Sequence, residues 1–102
     1  MTYFVLYGTS VGTVETEAEL ADWLASTHST LVARTRLKLL RCYVSTAFIP
    51  GVRVESGVGP FETMVFGLDD HDPRPLRRSS RTFDEARRTH ERVVRLCGGR
   101  PR

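Results

Sequence analysis

Apolar and polar positions alternate most regularly in the second half of this chain. Between Leu37 and Ile49, Leu40, Cys42, Val44, Thr46 and Phe48 take turns with Leu39, Arg41, Tyr43, Ser45 and Ala47. A period of two is that of a strand. Both sets turn apolar toward the end, which predicts a central strand. Pro50 and Gly51 end it, and the glycines and proline up to Pro60 predict a long connection or a flexible hairpin tip. Phe61 to Leu68 returns as a strand, with Phe61, Thr63 and Val65 on one face and Glu62, Met64 and Phe66 on the other. Asp69-Asp70-His71-Asp72-Pro73 reads as a turn, and Leu76 to Arg81 as a short edge strand guarded by its charges.

The period then changes. Phe83, Ala86, His90, Val93, Val94 and Cys97 share one face of a helix running from Thr82 to Leu96. Thr82 and Glu85 form a capping box at its start, and Gly98-Gly99 stops it. The first half is less sharply patterned. Tyr3 to Gly8 suits a strand, Gly8-Thr9-Ser10 a turn, and Val11 to Glu15 a second short strand. Thr16 and Glu19 cap a helix whose inward stripe is Leu20, Ala21, Trp23, Leu24 and one of Thr27 or His28. His28 to Thr35 reads as a loop entering a strand, with an extension of the helix as the alternative.

The order β(β)αβββα predicts an α+β fold. The simplest version is a single antiparallel sheet of three to five strands with two helices on one face, which hides both apolar stripes. Residues 1–97 form one domain and 98–102 a frayed tail. A chain of 102 residues supports one modest core. Its 40% hydrophobic and 26% charged residues are those of an ordinary globular protein. The N-terminal segment lacks a basic n-region and a cleavage site, which predicts a cytoplasmic protein with no membrane association.

Charge refines this picture. Residues 1–73 have a net charge of −4 and residues 74–102 a net charge of +7, within a total of +3. Arg supplies 14 of the 15 basic residues, a bias typical of GC-rich coding sequences such as those of actinobacteria and their phages. Cys42 and Cys97 are too few for a disulfide framework and read as reduced, partly buried thiols.

The second half resembles a group of small uncharacterised proteins common in actinobacteriophages and in prophage regions of actinobacterial genomes. The residues that carry the resemblance are Val44-Ser45-Thr46, the run Phe61 to Gly67, Glu85-Ala86 and His90, within about residues 42–97. It implies phage origin and a shared fold; it implies no activity. Val52-Arg53-Val54-Glu55 stand where members of that group often have an aspartate and further glycines.

Few residues offer chemistry. His90 lies on the apolar side of its helix, where a hydrogen bond to Glu62 or Thr63 would lock helix to strand; a catalytic pair would also need an orienting partner and a cleft. Asp69, Asp70 and Asp72 lack the alternate spacing and distal glutamate of a calcium loop and read as a solvated turn. Gly8-Thr9-Ser10-Val11-Gly12 lacks the Gly-Lys-Ser/Thr ending of a phosphate loop. Neither a metal nor a cofactor is expected.

Three functions remain open. The first is a non-enzymatic accessory protein of phage or prophage origin that binds a host or phage protein, with Tyr43, Met64 and Phe66 on a sheet face left bare by the helices; a homodimer through that face is one version. The second is a nucleic-acid-binding protein using Arg77, Arg78, Arg81, Arg88, Arg92 and Arg95. The third is a small enzyme of the dimeric α+β-barrel kind with His90 or His71 in a pocket.

Overall fold

The computed structural model describes residues 1–26 and 29–98. It is an α+β fold with two antiparallel sheets. Strands β1 (Tyr3–Tyr7) and β2 (Ser10–Val14) form a hairpin, followed by helix α1 (Glu17–Ser26). Strands β3 (Leu31–Leu37), β4 (Cys42–Phe48), β5 (Phe61–Gly67) and β6 (Pro73–Ser80) form a meander in that order, and helix α2 (Phe83–Leu96) closes the chain.

The expectation of one sheet is therefore corrected: the hairpin stands apart from the meander. Its free edge pairs with the connection after β4 instead. Phe4 N–H donates to the Val52 carbonyl at 3.1 Å and Val54 N–H to the Thr2 carbonyl at 2.9 Å. The long segment read as a single strand from Leu37 is also corrected. A short 3-10 turn at Lys38–Leu40 and a left-handed Arg41 (φ 52°) reverse the chain between β3 and β4. Leu39 and Leu40 thus leave the alternation and stand in solvent. The helix extension weighed for residues 28–35 gives way to a strand over Leu31–Leu37. β6 is an edge strand, as its charges predict, but begins earlier, at Pro73.

The regular alternation of β4 and β5 survives intact. Cys42, Val44, Thr46 and Phe48 are buried on the same side as Phe61, Thr63 and Val65, and α2 packs across that side. The α2 stripe is as the spacing predicts: Ala86, His90, Val93 and Val94 are buried, with Phe83 and Cys97 at its ends half-buried. Thr82 caps the helix by accepting the Glu85 N–H at 3.1 Å.

α1 is held more lightly. Thr16 Oγ1 accepts the Glu19 N–H at 3.1 Å, the predicted cap. Of its stripe, however, only Trp23 is buried and Leu20 half-buried; Ala21 and Leu24 are exposed, and Thr27 and His28 lie outside the described residues. Trp23 donates Nε1–H to the Leu6 carbonyl at 2.9 Å and meets the Phe48 ring edge-on at 5.4 Å. A chain of aromatic rings continues through Phe61 to Phe83, so the hairpin and α1 are stapled to one end of the helix-covered side. Two apolar clusters result, one at this end and one around Val44, Val65 and Val93. Among the described residues no helix is long and apolar enough to cross a membrane.

Candidate interaction surface

Period two fixes what the sheet shows on its other side. With Val44 and Thr46 inward, Tyr43, Ser45 and Ala47 must point outward, as must Glu62, Met64 and Phe66 from β5. The register sets Tyr43 opposite Phe66 and Ser45 opposite Met64. All three residues expected to face a partner, Tyr43, Met64 and Phe66, are thereby brought together at the centre of the face that α2 leaves uncovered. They are half-buried among their own neighbours.

The geometry around Tyr43 is well defined. Its ring stacks on Phe66 with centroids 5.3 Å apart and planes 23° from parallel. The Arg34 guanidinium carbon lies 5.4 Å from the centroid of the same ring. Its hydroxyl sits 3.3 Å from His71 Nδ1, and the two rings meet edge-on. His71 occupies the β5–β6 turn in a left-handed conformation (φ 57°). In that turn Asp70 accepts the Asp72 N–H at 2.9 Å and pairs with Arg74 at 3.5 Å, which together hold its carboxyl below the usual range. Asp69 pairs with Arg41. The acidic run is thus tied into the turn, and no group of three metal-ligating side chains occurs among the described residues.

The face is cationic. Arg34 and Arg36 project from β3, opposite Ser45 and Tyr43, and are exposed. Arg77 projects from β6 and lies 3.6 Å from Glu62. Arg34 and Arg36 form no ion pair with the described residues. Both escaped sequence reading because the segment before Leu37 carries no clean apolar alternation; the alternation of Arg34 and Arg36 with Thr35 and Leu37 was the available signal.

The six arginines expected to act together are divided by the fold. Arg77 lies on the uncovered face. Arg78 is in register with Thr63 and so belongs to the opposite side, at the rim. Arg81 lies beyond β6 and reaches the Gly57 carbonyl at 3.4 Å. Arg88, Arg92 and Arg95 line the outer stripe of α2 with Arg87, Asp84 and Glu91, around a shallow open depression. The helix arginines and the Tyr43 cluster therefore face opposite ways across the sheet.

Glu62 and His90 are also separated. Glu62 points to the uncovered face, so it cannot be the partner of His90; the expected bond to Thr63 is replaced by one relay. His90 is 2% exposed. Its Nε2 lies 2.8 Å from Thr35 Oγ1 and its Nδ1 lies 2.8 Å from Thr46 Oγ1, which in turn lies 2.7 Å from Thr63 Oγ1. One helical side chain thus ties β3, β4 and β5. Rotating hydroxyls satisfy either neutral tautomer: Thr46 passes a hydrogen toward Thr63 when it accepts from His90, and accepts from Thr63 when it donates. Burial holds the imidazole below its ordinary range, against a smaller opposing pull from Glu91. The predicted role of His90 as a lock between helix and sheet has this concrete form, with Thr35 and Thr46 as the partners.

Cys42 and Cys97 are free thiols in the second apolar cluster, and burial, with Cys42 nearby, pushes the Cys97 thiol up. Gly8 (φ 62°) sits in the two-residue turn of the hairpin, where Tyr7 pairs with Ser10. That stretch is a hairpin turn, not a phosphate loop leading into a helix. No family model, curated protein or solved structure matches the chain.

Proposed function

We propose that this is a non-enzymatic, cytoplasmic accessory protein of phage or prophage origin that binds another protein through the uncovered face of its four-stranded sheet. The observation that supports it is the Tyr43–Phe66 stack beside Met64, at the centre of a face across which no described helix packs. Aromatic and methionine side chains flanked by arginines are the composition of a protein-binding patch. The origin rests on the resemblance of residues 42–97. Among the outward residues of the strands, Arg34, Arg36 and Arg77 outnumber Glu62, which sets two copies of this face against each other and favours a different, more acidic partner over a homodimer.

The test is affinity capture from an actinobacterial lysate treated with nuclease, comparing the wild type with a Tyr43→Ser/Phe66→Ser double variant. A host protein retained by the first and lost by the second supports the reading. Equal retention by both refutes it. Sedimentation equilibrium at tens of micromolar decides the homodimer version, which fails if only monomer is seen.

The outer stripe of α2 favours a second reading. Arg87, Arg88, Arg92 and Arg95 form no ion pair with the described residues and could neutralise nucleic-acid phosphates. That reading requires binding that falls steeply with salt and is lost in Arg88→Glu/Arg92→Glu. Salt-independent behaviour removes it.

A further inference from the structure

The four-stranded sheet has two edges, and they are built differently. β6 carries Pro73 and Pro75, which lack the N–H a neighbouring strand would need. β3 has no proline. It pairs with β4 without interruption from Ala33 to Leu37, and the one irregularity falls before Ala33. Among the described residues no strand or loop bonds to its other edge. That edge is also held in place from behind, because Thr35 is bonded to His90 of α2.

Arg34 and Arg36 stand on this strand two residues apart, on the Tyr43 side, exposed and without an ion pair among the described residues. They discourage a second copy, since antiparallel pairing of β3 with itself would set arginines against arginines. They suit carboxylates at alternate positions of an added strand. Exposed leucines lie at both ends, Leu31 at the start of β3 and Leu39, fully exposed, just past its end. A single-stranded nucleic acid is less well served. Base stacking needs a free ring face, and the Tyr43 ring is already stacked on Phe66 with the Arg34 guanidinium over it.

We infer that β3 is a docking edge for an extended acidic segment of a partner protein, which adds as a fifth strand and sets its carboxylates on Arg34 and Arg36. The main-chain bonds supply affinity and the arginines select charge and register. The inference rests on the protein-binding reading above and names the edge at which it acts.

The test uses fluorescence anisotropy with four probes: a short labelled peptide alternating Glu and Val, its Lys-for-Glu counterpart, the acidic peptide N-methylated at alternate residues, and oligothymidylate. The acidic peptide is expected to bind and to protect β3 amides from exchange; the Lys and N-methylated peptides are not. Arg34→Gln/Arg36→Gln should weaken it about tenfold, the scale of two surface ion pairs, and Arg34→Glu/Arg36→Glu more. Both side chains are exposed, so these variants should keep the fold, which circular dichroism verifies. No binding of the acidic peptide, binding indifferent to N-methylation, or tighter binding of oligothymidylate overturns the inference. If capture in the lysate depends on Tyr43 and Phe66 but not on Arg34 and Arg36, the edge assignment falls and the uncovered-face reading stands.

Discussion

Replacing Thr46 with Val probes the buried lock directly. The two side chains have nearly the same shape, so the space Thr46 fills in the core should stay filled while the hydroxyl is lost. That hydroxyl is the partner of both His90 Nδ1 (2.8 Å) and Thr63 Oγ1 (2.7 Å), and Thr46, Thr63 and His90 are all at or below 2% exposed. Two polar groups would then stay buried without partners. An orphaned buried group costs about 1–3 kcal/mol. Two of them, less the easier burial of a methyl than a hydroxyl, give a loss of about 2–4 kcal/mol. For a domain of this size that lowers Tm by roughly 10–20 °C. Urea unfolding followed by Trp23 fluorescence measures it, and the slope with urea should not change. Adding Thr63→Val removes one of the orphans, so the double variant should be no less stable than Thr46→Val alone. A Thr46→Val protein within about 0.5 kcal/mol of wild type, or two losses that simply add, would refute the lock.

Two further predictions follow from the same core and its edge. His90 is held below its ordinary range in the folded state and returns to about 6.5 when unfolded, so the unfolded chain binds more protons as pH falls below that value. Stability should therefore be at its full value above pH ~6.5 and fall below it toward the folded value, by at most about 1.4 kcal/mol per pH unit; urea titrations of His90→Leu should lack that slope, and equal slopes would contradict the assignment. A Cβ on Gly59 would lie 2.2 Å from the Ser80 carbonyl oxygen, so Gly59→Ala should cost about 1–3 kcal/mol by prising the end of β6 from the connection before β5, read as a lower Tm, whereas an unchanged Tm would mean that the connection yields freely.

Much of the fold was legible because burial there is enforced by periodicity alone. The period of two in Cys42–Phe48 and Phe61–Gly67 assigned each residue to its face, and the helical spacing from Phe83 to Cys97 identified the face of α2 that the sheet would cover. From those two patterns the outward placement of Tyr43, Met64 and Phe66 follows, as does the inward placement of His90. Capping residues located both helix starts, since Thr16 and Thr82 satisfy N–H groups within their own first turns. These are local relations, within reach of neighbouring residues in the chain.

What the tertiary structure alone decided depends on residues distant in sequence. The split into two sheets follows from Phe4 and Val54 finding partners across about fifty residues of chain, for which no local pattern speaks. The turn at Lys38–Leu40 hid within an apolar run, because leucines fit a strand as readily as an exposed 3-10 turn. His90 acquired Thr35 and Thr46 as partners, not Glu62, because the register of β4 and β5 put the carboxylate on the far face. The arginines, a single cluster in sequence, were distributed over an uncovered face, a rim and an outer helix stripe. Sequence distance measures how far apart two charges can be, and only the packed chain sets which way each one points.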